Sequence, residues 1–361
     1  MPNYKIKLTP VDTFFFGGEK HDENGKVSYF VESNLYPQQT TLLGLIRYYL
    51  LLKNPSIFKD NKIVKGSNVA DFIGTDSFDY AFTNMEHKNI QSFGKIKSLS
   101  PLYFHSNGKD YFFGPLDFDT EIDEHFILSK TDRDGKTEKY KAKQKDAFIS
   151  QQLIAKDGTA KPLFGENGIL SDAEQVGNEK AHKGESTKEN AFYKMNMKRM
   201  AKGWSFVVDV NIEDGAGVID KEHLFIPFGG EKCYFKMEIE EVEKYTPHLP
   251  SKYKRNLSTV VCISDCFLSD VSLLHSADFA ITEAVSFRNL KSKASENVNY
   301  SGLSKNDPNQ LSRSQRYNLL KRGSVLYFTD NQKMKILTDA LETESNSRAI
   351  GFNQFLTITK S

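Results

Sequence analysis

Cysteine is scarce: Cys233, Cys262 and Cys266 are the only three in 361 residues. An odd, sparse count argues against a disulfide framework and for a reducing compartment. Cys262 and Cys266 are spaced CxxxC with no second pair to complete a zinc site, so they read as small packing residues. Long apolar runs are missing too. No stretch approaches the ~20 apolar residues of a membrane span, and the opening MPNYKIKLTP has no apolar signal core. The expectation is a cytoplasmic protein with no membrane partner. Charge of one sign is also lacking. The net charge of +1 does not announce a nucleic-acid binder and leaves only local patches to do so.

Catalytic signatures are absent as well. There is no GxxxxGK[ST], no GxGxxG after a strand, no HExxH and no GxSxG. Acidic clusters at 117–124 and 238–243 carry no metal-ligand pattern, and read as solvated faces or contacts to a basic partner. His21 follows a glycine pair and could act as general base on a ribose 2′-OH. No partner for it is evident, and an exposed loop histidine is the plainer reading. No cofactor, no metal and no enzymatic activity are expected.

Aromatics are abundant. They make up 12% of the chain, with 27 Phe and 16 Tyr against one Trp, which suits β-rich packing. It also suits base stacking, since every base offers a π-face, although core phenylalanine accounts for most such residues.

Residues 4–8 alternate and read as a first strand, ended by Pro10. Phe14-Phe15-Phe16 runs into Gly17-Gly18. Thr40 or Thr41 can cap a helix running to about Leu52, with Leu42, Leu45, Ile46, Tyr49 and Leu50 facing inward. Asn107-Gly108 is a hairpin turn between 102–105 and 111–113. Residues 119–189 are polar and lysine-rich, and few regular elements are expected there. Residues 203–212 give the cleanest strand. Further strands are expected at 224–228, 232–239, 257–263, 324–328 and 350–358, with a helix over 333–341. A mobile basic loop is expected at about 286–309. Each half reads as strand, helix, strands. The fold class is α+β: two ferredoxin-like (RRM-related) domains with long insertions, over 1–215 and 216–361.

Two features suggest a ligand. Gly17-Gly18-Glu19 and Gly229-Gly230-Glu231 each follow an apolar strand, where glycine lets the backbone approach another backbone or a phosphate. A tight turn is the bland alternative. Cations also cluster. Lys188, Lys194, Lys198, Arg199 and Lys202 face only Glu189 in sequence. Residues 288–322 hold eight Lys/Arg against Glu296 and Asp307, a local excess of +6. Phe192, Tyr193, Trp204, Phe287, Tyr300 and Tyr317 lie beside these cations. Cations release counterions from phosphates and rings take unpaired bases, so the mixture suits single-stranded RNA. A solvated lysine-rich loop is the alternative.

The run PVDTFFFGGEK (10–20), followed by YFVESNLYPQQTTLLGLIRYYLL (29–51), resembles the start of the third Cmr subunit of type III-B CRISPR effectors. The matching positions are Pro10, Asp12, Phe16, the Gly17-Gly18 turn, Thr40-Thr41, and Gly44 to Arg47. The stretch at 191–194, FGGEKCYFKMEI (228–239), RGSVLYF (322–328) and IGFNQF (350–355) resemble later parts of that family in the right order. Residues 119–189 and 286–309 carry no match.

The resemblance implies a RAMP-superfamily, non-catalytic subunit that holds the 5′ handle of the crRNA. It implies docking on the large polymerase/cyclase-like subunit and on backbone-forming RAMP subunits. It also gives the glycine loops, including Gly351, an RNA-contacting role. The RNA-binding candidates are then Gly17, Gly18, Glu19, Lys20, Gln39, Thr40, Thr41, Arg47, Lys194, Lys198, Arg199, Gly229, Gly230, Arg316, Arg322 and Arg348. The alternatives are a CRISPR RNA-processing endoribonuclease using His21, or a protein-interaction module that binds no RNA.

Overall fold

Strand β1 (Asn3–Pro10) lies in the middle of the main sheet because its residues alternate. Ile6 and Leu8 are fully buried, while Lys5 and Lys7 take the opposite face. The computed structural model containing it describes residues 1–17, 30–64, 66–74, 91–123, 125–131, 135–140, 151–165, 167–180, 187–218, 220–243, 246–250, 253–291 and 312–359. After β1 come the short β2 (Phe30–Glu32) and helix α1 (Gln39–Leu52). Strands β3 (Ile96–Leu99), β4 (Tyr103–Ser106) and β5 (Lys109–Phe113) follow. The β4–β5 hairpin turns at Asn107 and Gly108, both with positive φ, as an Asn-Gly pair favours.

The polar stretch after residue 119 is not poor in regular structure, contrary to expectation. It contains β6 (Gln152–Ala155), β7 (Ala160–Pro162) and the long ribbon β8 (Leu170–Lys180) with β9 (Thr187–Met200). β8 and β9 pair antiparallel, and β2 adds to β9 in parallel. Such a ribbon is stabilised by its ladder and cross-strand pairs, so its sequence shows little apolar alternation.

Strands β10 (Trp204–Ile212), β11 (His223–Pro227) and β12 (Tyr234–Val242) complete a nine-stranded antiparallel sheet. Its order is β7-β6-β5-β4-β10-β1-β12-β11, with β3 beside β10. β11 and β12 come from beyond residue 215, yet β12 pairs with β1 over its whole length. One face of this sheet buries Ile6, Leu8, Phe206, Val208, Phe235 and Met237 against Leu42, Leu45, Ile46, Tyr49 and Leu50 of α1. Each such side chain contributes roughly 1.5–3 kcal/mol on burial.

A second, four-stranded sheet runs β14-β15-β13-β16, from β13 (Ser258–Cys262), β14 (Phe279–Ile281), β15 (Val325–Phe328) and β16 (Phe355–Ile358). Helix α2 (Asn331–Thr343) packs Leu337 and Leu341 on Val260, Leu326 and Phe328. Asp330 caps it, accepting from the Gln332 N–H at 2.8 Å. Residues 350–354 are not strand as expected. Helix α3 (Ser345–Ala349) and a turn at Gly351 precede β16. The three cysteines are buried and free.

The two sheets meet in a buried polar seam. The Leu116 N–H donates to the Gly323 carbonyl at 2.8 Å, and Gln91 N–H to Asn346 Oδ1 at 2.8 Å. No helix among the described residues is long and apolar enough to cross a membrane.

Candidate nucleic-acid interface

The second glycine turn singled out in the sequence packs on the phenylalanine run that leads into the first. Gly230 N–H donates to the Phe15 carbonyl at 2.8 Å. Gly229 has φ +88°, and a Cβ there would stand 2.5 Å from the Phe15 oxygen. Glycine is therefore required for backbone to approach backbone. Gly17 differs: its φ is ordinary, and a Cβ would meet only the Phe15 ring at 3.8 Å. It bridges Ser33, and its carbonyl accepts from Asn34 Nδ2 at 3.1 Å.

Behind these turns, Phe14, Phe15 and Phe16 are all buried. Phe16 meets Phe228 with ring centroids 5.1 Å apart, and Phe14 meets Phe206 at 5.4 Å. Such pairs contribute about 0.5–1.5 kcal/mol each beyond burial. The run is buried on both sides because Phe14 also bridges Lys198 of β9, tying the main sheet to the ribbon.

The ribbon carries its cations beside carboxylates. Arg199 Nη2 lies 3.1 Å from Asp12 Oδ1, and Lys194 Nζ 2.7 Å from Glu174 Oε1. Both side chains reach solvent, and Lys202 is exposed at the ribbon's end. Lys198 is different. Its ammonium is buried between Glu32 (3.0 Å) and Asp172 (2.6 Å), over the Phe164 ring.

The model of the CRISPR-associated Cas_Cmr3 proteins matches residues 6–360 of this sequence. The chain belongs to the Cmr3 family. Among solved structures, a chain of a type III-B Cmr-beta complex bound to cognate target RNA and AMPPnP is similar, with TM-score 0.52 and 13% identity. The match covers 98% of this chain and 96% of that one. A chain of Cmr-beta bound to cognate target RNA gives TM-score 0.50 at 13% identity, with the same coverage. At such identity the likeness is one of fold. No curated protein matches in sequence.

Several candidates of this Cmr3-family chain are buried rather than open to a phosphate. Arg322 is wholly buried. It forms a bidentate pair with Asp265 (Nε to Oδ1 3.1 Å, Nη2 to Oδ2 2.8 Å) and lies over the rings of Tyr36 and Phe113. Gln39 is also fully buried. Its amide donates to the carbonyls of Ser100 (2.9 Å) and Ile350 (2.7 Å), and accepts from Leu102 N–H (3.1 Å). Arg47 is buried beside the Phe93 ring. Lys198 joins this group. All four, named as RNA-binding candidates, are packed inside the chain, with little surface to offer a phosphate. Gly351 is a close approach as well: its added Cβ would lie 2.5 Å from the Ser100 carbonyl.

The helix cap is corrected too. α1 starts at Gln39 after Gln38, without a side-chain cap, so Thr40 and Thr41 lie in its first turn and cap nothing. Phe287 and Tyr317 are core residues rather than exposed stacking rings. Arg316 is exposed, and half-buried Arg348 lies 3.4 Å from Glu342. Gly18, Glu19, Lys20, His21 and residues 292–311 lie outside the described residues.

The carboxylate partners Asp12, Glu32, Asp172 and Glu174 went unnoticed in the sequence. Folding 170–180 back antiparallel on 187–200 places Asp172 opposite Lys198. That register was the signal that could have found it. Among the described residues, no group of three or more His, Cys, Asp or Glu is gathered as a metal site.

Proposed function

We propose that this Cmr3-family chain is an RNA-binding, non-catalytic subunit of a type III-B CRISPR effector, and that it holds the 5′ handle of the crRNA. The family match across residues 6–360 carries the reading. Chains of the same fold in Cmr-beta complexes with cognate target RNA support it. The same reading has the chain dock on the large polymerase/cyclase-like subunit and on backbone-forming RAMP subunits in the cytoplasm. It also has two ferredoxin-like units. Their boundary is taken at 215/216, although the pairing of β12 with β1 favours a junction after β12.

The contact surface in this proposal is the outer side of the ribbon and the rim around Gly17. Lys194, Arg199 and Lys202 present positive charge there, and Gly17 leaves the backbone open to a phosphate. Asp12 and Glu174 hold two of these cations in place without burying them.

Titrating the full chain with handle RNA and with a scrambled RNA tests the proposal. Tighter binding to the handle, falling steeply with salt, is expected. Equal affinity for both would remove the handle assignment. Precursor CRISPR RNA incubated with the chain should stay intact. Cleavage lost in His21→Ala would replace the scaffold by a nuclease.

A further inference from the structure

The outer edge of the main sheet carries an apolar surface used neither by the core nor by the proposed RNA contact. β11 is the outermost strand. Ile226 is fully buried and Leu224 packs on the core, so His223, Phe225 and Pro227 take the opposite face. Phe225 is 68% exposed, Val11 60% and Tyr234 53%. Pro227 lies opposite Tyr234, whose carbonyl accepts from the Val11 N–H at 3.0 Å. Val11, just past the end of β1, Tyr234 of β12 and Pro227 of β11 therefore form one row. Phe225 is diagonal to Tyr234, at roughly 7–8 Å.

Among the described residues, the backbone of β11 has no partner on its outer side. Ile239 N–H donates to the Glu222 carbonyl, and Phe228 N–H to the Cys233 carbonyl, both at 3.0 Å. Antiparallel alternation then turns the polar groups of Leu224 and Ile226 toward β12, and those of His223 and Phe225 outward. Pro227 has no N–H to offer, so the open stretch ends there. An unpaired edge of this kind can accept one more strand.

The charges around the patch are already matched. Lys236 Nζ lies 3.0 Å from Glu238, His223 Nδ1 3.1 Å from the same carboxylate, and Lys7 Nζ 3.4 Å from Glu240. Glu231 and Lys232, opposite in sign, occupy the adjoining turn. RNA binding draws on a net surplus of cations, as exposed Lys202 adds to the paired Lys194 and Arg199 on the ribbon, and the described residues around this patch carry none. A near-neutral rim around exposed aromatic and aliphatic side chains complements a protein surface instead.

We propose that β11, with Val11, Tyr234, Pro227 and Phe225, is a docking site for an extended segment of a partner protein. That segment adds as a strand to β11 and lays an apolar side chain over Phe225 and Tyr234. The proposal rests on the chain being an assembly subunit, and is independent of the handle assignment.

Hydrogen exchange of the full chain, free and in a complex reconstituted with the other Cmr subunits, tests it. The amides of His223 and Phe225 should slow about ten-fold or more on assembly. Phe225→Asp should cut incorporation by a similar factor and leave handle-RNA affinity unchanged. Phe225→Pro removes an outward N–H together with the ring, leaves the β11–β12 ladder bonds in place, and should act in the same direction. Unchanged exchange, or equal incorporation of wild type and Phe225→Asp, would overturn the proposal alone. Loss of RNA affinity with normal incorporation would make the patch an RNA site and overturn it. Self-association abolished by Phe225→Asp would make the occupant a second copy and overturn it. Failure of the wild-type chain to enter any complex would overturn the subunit reading, and this proposal with it.

Discussion

Arg322 and Arg199 carry the same side chain into opposite surroundings. Arg322 sits in the seam between the two sheets, fully buried, gripped by Asp265 and two aromatic rings. Arg199 stands on the ribbon, largely exposed, beside an Asp12 that is more exposed still. In a low-dielectric seam an arginine needs a fixed carboxylate partner and can serve little else. On an exposed ribbon the same pair is screened, and the guanidinium stays available to a phosphate. A cation's neighbours in sequence do not tell these two cases apart.

The largest test of the contrast is Arg322→Met. It leaves Asp265 buried without its partner and should cost about 3–5 kcal/mol of stability. Denaturant unfolding measures this, and a loss below about 1 kcal/mol would erase the contrast. Adding Asp265→Asn should restore part of the loss.

The two glycine positions sharpen the contrast at the next scale. Gly229→Ala meets both a left-handed backbone and the Phe15 oxygen, and should cost about 2 kcal/mol or more. Gly17→Ala meets neither and should stay within about 0.5 kcal/mol. If Gly17→Ala folds normally yet loses handle affinity, Gly17 is an RNA contact. If it folds and binds normally, Gly17 serves only its turn.

Asp209, on β10, gives a test by pH. Burial pushes its carboxyl up to about 6, with the Tyr103 hydroxyl and Lys5 opposing and Asp110 and Glu240 adding to the rise. Its Oδ2 accepts from Tyr103 at 3.0 Å, and its buried Oδ1 has no partner among the described residues. A raised carboxylate pKa favours the fold below the unfolded value, and that contribution is lost as pH rises to about 6. Asp209→Asn should therefore stabilise the chain by about 1–2 kcal/mol at pH 7, and by almost nothing near pH 4. Thermal melts across that range read the difference, and a gain independent of pH would refute it.

The smallest expected effects are on the ribbon. Lys194→Glu and Arg199→Glu should each weaken RNA binding a few-fold and flatten its salt dependence. Stability should change by no more than about 0.5 kcal/mol. Lys198→Glu should instead behave like Arg322→Met, losing the fold before the ligand.

Much of the architecture was readable from pattern. β1 and β12 alternate, β10 does so apart from Val207, the Asn107-Gly108 turn has its own chemistry, and Leu337 and Leu341 mark the inner side of α2. The ribbon β8–β9 was missed because its charged residues pair with each other across strands, leaving no apolar period to detect. The candidate site was less readable. Gln39, Arg47, Lys198 and Arg322 are polar residues of the kind that bind phosphate, and each lies buried. A buried polar group and an exposed one share the same letter, and only the partner brought from afar separates them.

By itself, the sequence determined the local periods, the turns that need glycine or asparagine, and a family resemblance spread along the chain. Those follow from backbone sterics and side-chain spacing over a few residues. The tertiary structure alone decided that Gly229-Gly230 meets Phe15, that β12 joins β1, and which cations stay in water. Those outcomes depend on contacts between residues far apart in the chain, such as Arg322 with Tyr36 and Lys198 with Glu32.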